Sequence, residues 1–150
     1  VKCKCIRCRE VGLKMREGVF PEKAELKRFD YEASQGREIF LSFEDSKNDI
    51  ILGFLRLRIP FKSHRREIDS RSSIVRELRV MGLTVPVGNL PKDFQWQHKG
   101  MGRKLMAEAE RISLEEFGKK KIVVISAVGT REYYRKLGYA RDGVYMSKHL

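Results

Sequence analysis

The sequence predicts an α/β protein with a mixed sheet, in which an antiparallel meander is followed by a β-α-β core. Three observations predict it. Residues 25–59 hold three runs of alternating apolar and polar side chains, divided by Ser34-Gln35-Gly36-Arg37 and by a polar turn over residues 44–49. Period two broken by Gly, Asn and Asp marks antiparallel strands with one solvated face. Leu105, Met106, Ala109, Ile112 and Phe117 then recur at helical spacing, which gives one apolar stripe. Ile122-Val123-Val124-Ile125 is a continuous apolar run, as in a strand covered on both faces.

Taken in order, residues 11–24 carry Gly18, Pro21 and mixed charge and read as connection. The first strand runs from Glu25 to Ala33, with Phe29, Tyr31 and Ala33 on one face. Ile39, Leu41 and Phe43 alternate in the second. The third spans Ile50 to Ile59, with Leu55, Leu57 and Ile59 opposite Arg56 and Arg58. Residues 60–73 form a strongly basic loop that reads equally as a phosphate contact or as solvated surface. The fourth strand covers Ile74 to Gly82 and extends towards Val87, with Pro86 restricting it to an edge or an end. Backbone groups left unpaired there suit an extended, amide-containing ligand. After the long helix, Gly118 is a C-terminal stop and Lys119-Lys120-Lys121 suit the negative helix end. Thr130 is a cap for a short helix that ends at Gly138, and Tyr139 through Leu150 reads as one closing strand.

At 150 residues, 41% hydrophobic and 35% charged, the chain is expected to form one folded domain. It carries no apolar run of the roughly 20 residues that a membrane-spanning helix needs, so no membrane partner is expected. The sequence opens on Val1 as though in the middle of a protein. It is therefore expected to be a piece of a longer chain, with residues 1–20 a cysteine-rich clip and linker and residues 21–150 the domain proper. A formal net charge of +12 biases the partner towards a polyanion. Basic residues crowd positions 2–9, the third strand and the loop over 60–73, yet no aromatic RNA-recognition motif accompanies them. Charge suggests RNA without identifying it.

All three cysteines fall in Cys3-Lys4-Cys5-Ile6-Arg7-Cys8. An odd, tight cluster argues against a disulfide framework and for a reducing, cytoplasmic compartment. Thiolates this close can hold one soft cation, and flanking Lys and Arg favour the deprotonated form. Structural zinc at Cys3, Cys5 and Cys8 is the expected reading, with a fourth ligand from His64, His98, His149 or outside the chain. An iron–sulfur cluster would use a wider spacing, and three free thiols remain the alternative.

Gln97-His98-Lys99-Gly100-Met101-Gly102 leads straight into the long helix. Glycines let successive amides turn towards one centre, and a helix N-terminus adds unpaired N–H groups and partial positive charge. The loop reads as a phosphate cradle made by Gly100, Met101, Gly102 and Arg103.

The pattern Gln-x-x-Gly-x-Gly resembles the pyrophosphate loop of the GNAT acetyltransferases. Tyr133-Tyr134-Arg135-Lys136-Leu137-Gly138-Tyr139 is similar to a later segment of the same enzymes. A closer likeness rests on Cys-x-Cys-Ile-Arg-Cys-Arg-Glu-Val-Gly, Leu-Ser-Phe-Glu-Asp, Gly-Phe-Leu-Arg-Leu-Arg, Glu-Ala-Glu-Arg-Ile and Thr-Arg-x-Tyr-Tyr-Arg-Lys-Leu-Gly-Tyr. Together these segments resemble the acetyltransferase region of the Elongator catalytic-subunit family. That resemblance implies the GNAT fold and an acyltransferase that uses acetyl-CoA as cosubstrate to modify the wobble uridine of tRNA, in the anticodon region, at C5. It also implies a radical S-adenosylmethionine domain, with its iron–sulfur cluster, outside these residues, and a zinc-holding clip at the join. The chain departs from the family pattern at Arg79 and Met81, where the family carries His and Tyr.

By the same resemblance the pantetheine arm and acetyl carbonyl lie along Glu77, Leu78, Arg79 and Val80. Tyr134 is the general acid for the departing thiolate, with Tyr133 as its packing partner. Glu77 is a second catalytic candidate, as base for an activated water. His98 reads as structural or solvent-facing. Two other readings stay open, a protein lysine N-acetyltransferase and a non-catalytic, zinc-clipped RNA-binding module.

Overall fold

The computed structural model describes residues 3–82 and 100–150. Seven strands form one sheet in the order β1-β2-β3-β4-β5-β7-β6. Strands β1 (Glu25–Ala33), β2 (Gly36–Asp45), β3 (Ile50–Pro60) and β4 (Ser72–Val80) make an antiparallel meander. Strand β5 (Lys121–Val124) runs parallel to β4, and β7 (Tyr145–His149) and β6 (Ala140–Asp142) close the sheet antiparallel. The meander and the β-α-β unit both stand as the sequence predicts.

One face, called here the front, is covered by the crossover helix. An α-helix over Met101–Arg111 continues as a π-helical turn over Ile112–Glu116. Met101, Leu105, Met106, Ala109 and Ile112 are buried in one core with Ile39, Leu41, Leu55, Leu57 and Val75. The Ser73 hydroxyl donates to Ser113 Oγ at 2.7 Å and so pins β4 to the π turn. The helix stops at Gly118, whose φ of +60° is the left-handed conformation expected of a C-terminal glycine.

The back face is covered by two short helices, α1 (Ile6–Arg9) and α2 (Val11–Arg16). Residues 11–24 therefore contain a helix where the sequence suggested connection, because Val11 and Met15 lie one turn apart and bury together. This cover changes the meander. Strand β2 is buried on both faces rather than solvated on one, and Glu38, Ser42, Glu44 and Asp45 are all buried. Glu44 and Asp45 thus belong to β2, not to the turn. Asp45 accepts from the amide of Glu22 at 2.8 Å and from Asn48 Nδ2 at 2.9 Å, and Arg9 pairs with Glu44. Burial raises and these amide donors lower the Asp45 pKa, and the donors prevail.

Three further readings are corrected. Residues 139–150 form two strands, folded back at Gly143 with φ +62°. Thr130 closes a 3₁₀ turn (Val128–Thr130) and donates from its hydroxyl to the Ala127 carbonyl, so its side chain does not cap the helix Arg131–Lys136. Ile125 leaves the covered run and is 50% exposed. Residues 83–99, including Val87, Pro86 and Gln97-His98-Lys99, lie outside the described residues. Among the described residues no helix is long and apolar enough to cross a membrane.

Candidate functional site

The site is built where β4 and the crossover helix begin to separate. The β4–β5 ladder runs from Ser72↔Lys121 to Val75↔Val124, and its last bond is Ile125 N–H to the Val75 carbonyl at 3.0 Å. At that point β4 carries a bulge. Leu57 faces Val75 and Arg56 faces Glu77, which leaves Arg76 as an extra residue. A bulge shifts the alternation of side chains by one. Ser73 and Val75 point to the front before it, whereas Leu78 and Val80 do so after it.

Leu78 and Val80 therefore line a front cavity of about 840 Å³ together with Gly100, Met101, Gly102 and Arg103. Gly100 opens the crossover helix in a left-handed conformation, φ +70° and ψ +23°, and its carbonyl accepts from the Lys104 amide at 3.0 Å. The amides of the first helical turn have no acceptor within the helix. With the helix dipole behind them they offer a site for an anion.

The opposite wall comes from the short helix Arg131–Lys136. Thr130, Tyr133, Tyr134, Lys136 and Leu137 line the same cavity. Tyr134 is only 6% exposed, and its ring meets Tyr133 and Tyr139 edge-on at 5.3 and 6.0 Å between centroids. Burial, reinforced by Tyr133, pushes the Tyr134 phenol up to about 12. Its hydroxyl has no hydrogen-bond partner among the described residues. Tyr133 is 42% exposed, and burial raises its pKa against the opposing charge of Arg103. Through Arg103, Lys136 and Leu137 the cavity adjoins a smaller one of about 290 Å³, which adds Glu110 and Lys148.

The structure brings together seven of the nine residues that the sequence assigned to catalysis or acetyl-CoA: Leu78, Val80, Gly100, Met101, Gly102 and Arg103, with Tyr134 facing them. Glu77 and Arg79 it does not bring in. Their side chains point to the back face, where Glu77 pairs with Arg56 at 3.6 Å. Only the backbone of these two residues borders the front. Lys136 and Thr130 were not foreseen as lining residues, although both lie in or beside the Tyr-Tyr segment.

The clip gathers as expected. The sulfurs of Cys3, Cys5 and Cys8 lie within 4.8 Å of one another. Three thiolates around zinc at bonds of roughly 2.3 Å would stand about 3.8 Å apart, so the set fits a soft cation. Cys5 heads α1, and its thiol is lowered to about 7, first by the Cys8 backbone amide and then by the Cys3 and Cys8 thiols. Hydrogen bonding with Cys5 pushes the Cys8 thiol up to about 11. Among the described residues no histidine, His64 and His149 included, joins the cluster. His98 lies outside the described residues.

Comparisons with known proteins agree with this geometry. Residues 92–149 match the family model described as an acetyltransferase (GNAT) domain. The whole chain is 59% identical to a tRNA uridine(34) acetyltransferase of Methanocaldococcus jannaschii, covering 28% of that protein. It is 54% identical to Elongator complex protein 3 of Schizosaccharomyces pombe, again covering 28%. Among solved structures, the archaeal Methanocaldococcus infernus Elp3 with an N-terminal deletion superposes with a TM-score of 0.87 at 57% identity, over 99% of this chain and 36% of the other. The chain thus spans less than a third of the length of these curated relatives.

Proposed function

From the premise that the chain belongs to the GNAT acetyltransferase family, among relatives named tRNA uridine(34) acetyltransferase and Elongator complex protein 3, we propose that it binds and cleaves acetyl-CoA to supply an acetyl unit for C5 of the tRNA wobble uridine. The reading rests on one observation. A Gly-x-Gly helix start, an unpaired stretch of β4 and a buried neutral phenol face one another across a single cavity.

The amides of Met101, Gly102 and Arg103, with the Arg103 guanidinium, take the pyrophosphate. Lys136 and Lys148, around the adjoining cavity, add positive charge for the remaining phosphate. The pantetheine amides bond to the backbone of Glu77 through Val80 as an added strand would. A backbone N–H in that stretch faces the acetyl oxygen as charge develops on it. A nucleophile supplied by the acceptor bonds to the acyl carbon and takes the acetyl group as the carbon–sulfur bond breaks, and Tyr134 gives its proton to the departing sulfur. Burial keeps that phenol protonated at neutral pH, which is the state a general acid requires.

Cys3, Cys5 and Cys8 would hold zinc as a structural brace, and no step of the acyl chemistry runs through it. An iron–sulfur cluster and S-adenosylmethionine belong to a further domain of the full-length protein, the partner that would prepare the uridine. The lysine N-acetyltransferase reading finds no base among the described residues. Among the described residues Arg103 and Lys136 are the only ionised side chains lining the front cavity, with no carboxylate or imidazole.

The test is release of the coenzyme A thiol from acetyl-CoA with an anticodon stem-loop RNA, with a lysine-bearing peptide, and with neither. RNA-stimulated release that disappears in Tyr134→Phe is the expected result. Peptide acetylation independent of RNA would overturn the proposal, and RNA binding without any release would leave a binding module instead.

A further inference from the structure

A second cavity, of about 410 Å³, lies on the back of the sheet, directly across β4 from the acetyl-CoA cavity. Its floor is Phe54, Arg56, Glu77 and Arg79 from β3 and β4, and its wall is Ile6, Arg7 and Glu10 from the region of α1. Nothing in the acetyl-CoA chemistry uses it.

Its charges are arranged unevenly. Glu77 is engaged by Arg56 at 3.6 Å. Arg7 and Arg79 are exposed and have no ion-pair partner among the described residues. The Arg56 guanidinium lies over the Phe54 ring, 5.9 Å from its centroid, and Phe54 stacks on Phe40 at 5.4 Å. Cross-strand pairing carries this row outward. Arg56 faces Phe40 and Phe40 faces Phe29, while Arg79 faces Phe54 and, two strands on, Lys27. At the sheet edge Phe29 is 65% exposed, and its ring lies 5.8 Å from that of Tyr31. Guanidinium groups at one end and uncovered aromatic rings at the other are complementary to a single-stranded polynucleotide, whose phosphates pair with arginine and whose bases stack on aromatic faces. The chain's formal net charge of +12 favours a polyanion as the occupant of that face.

We infer that the back cavity binds the backbone phosphate of a single-stranded RNA segment through Arg79 and Arg7, with flanking bases on Phe29 and Tyr31. The inference rests on the RNA acceptor of the proposed function and says where that RNA lies. Strand β4 becomes a two-sided wall. Leu78 and Val80 face acetyl-CoA, Glu77 and Arg79 face the RNA, and the bulge at Arg76 sets that division.

The experiment measures binding of a labelled RNA hairpin with a single-stranded loop by fluorescence anisotropy across a salt series, and acetyl-CoA binding by calorimetry on the same preparations. Arg79→Glu and, separately, Arg7→Glu are expected to weaken the hairpin about tenfold or more and to flatten the salt dependence by about one phosphate contact. Arg79→Lys is expected to stay within about threefold, because a point charge still pairs with phosphate. Acetyl-CoA affinity is expected to hold within about twofold in Arg7→Glu, since Arg7 belongs to the back wall and the cofactor lies across the strand. Unchanged RNA affinity in both charge reversals overturns the inference. So does a loss that appears only when Arg65 and Arg66 of the loop over 61–71 are reversed instead. Absence of RNA binding in a chain that still binds acetyl-CoA also overturns it, and leaves acetyl-CoA binding itself intact. Failure to bind acetyl-CoA would instead count against the proposed function.

Discussion

The Tyr133 hydroxyl stands 2.5 Å from the point that a Cβ on Gly102 would occupy. The two residues come from different helices, so this contact sets the width of the front cavity between them. A glycine inside a helix ordinarily costs about 1 kcal/mol relative to alanine. Gly102→Ala should therefore leave thermal stability unchanged or slightly raised, because half-exposed Tyr133 can swing aside. Acetyl-CoA affinity should fall about tenfold as the ring moves into the cavity. Adding Tyr133→Phe removes the clashing oxygen and should restore affinity within about threefold, a coupling read from a double-mutant cycle. Additive losses would show that the contact does not shape the site.

Gly100 is constrained differently. Among the described residues nothing lies within 4 Å of its Cβ position, but its φ of +70° is left-handed. Gly100→Ala should cost about 1–2 kcal/mol from the backbone alone, and Gly100→Asn less. Thermal melts of the two variants check the order.

The Gly-x-Gly pair was legible because both demands, a left-handed helix entry and a close approach, can be met only by glycine. The division of β4 was not read, although its sign was present. Apolar side chains move from Val75 to Leu78 and Val80, a step of three with two charges between, and that step is the bulge. The resemblance put Glu77 beside acetyl-CoA, whereas the extra residue turns its side chain to the back. Asp142-Gly143 is a hairpin signal of the strongest kind inside the run taken as one closing strand. The burial of Glu38 and Glu44 had no local sign at all. It follows from α1 and α2 folding over β3, a tertiary event that residues 11–24, with Gly12 and Gly18 among them, do not announce.

Two buried phenols make stability fall at high pH. Burial, with Tyr133 adding to it, raises Tyr134 to about 12, and burial together with Glu110, to which it donates at 2.8 Å, raises Tyr139 further. The unfolded value is about 10, so the folded chain holds these protons more tightly. The contribution is complete below pH about 10 and is lost as pH rises from there through the folded values. Each phenol should steepen the loss by up to about 1.4 kcal/mol per pH unit. Tyr134→Phe and Tyr139→Phe should each remove one such slope in denaturation series taken above pH about 10. By the same sign, coenzyme A release should show no descending limb from Tyr134 near pH 10, and a limb there would remove it as the general acid.

The clip should matter to the back of the molecule and not to the front. Helix α1 is four residues long, with no buried residue and no side-chain cap, far shorter than a helix that stands alone. Cys5→Ser, or zinc withdrawal by a chelator, should abolish bound zinc by metal analysis and speed amide hydrogen exchange over Ile6–Arg9. Acetyl-CoA affinity should change by no more than about twofold, because Gly100–Arg103 lie across the sheet. Exchange that is unaltered by metal loss would assign the bracing of α1 to the Arg9 pairs with Glu44 and Asp49 instead.

The Glu38 carboxylate sits at the centre of the back face, 3% exposed, and accepts from Arg58 at 2.8 Å and Arg76 at 3.0 Å. Arg58 also donates to the carbonyls of Ala33 and Ser34, so one guanidinium ties the β1–β2 turn to β3. Replacing the carboxylate by an amide leaves the part-buried Arg58 charge without a counter-charge. That loss dominates, since breaking a buried pair costs about 3–5 kcal/mol. The Arg76 side chain, half exposed, regains water when its partner is lost and falls in the range of about 0–1 kcal/mol. Glu38→Gln should therefore lower the urea midpoint by the equivalent of about 3 kcal/mol with an unchanged slope, whereas Arg76→Ala should move it by less than about 1 kcal/mol. Equal effects would mean that Arg76, and with it the bulge in β4, carries more of the sheet's stability than its exposure indicates.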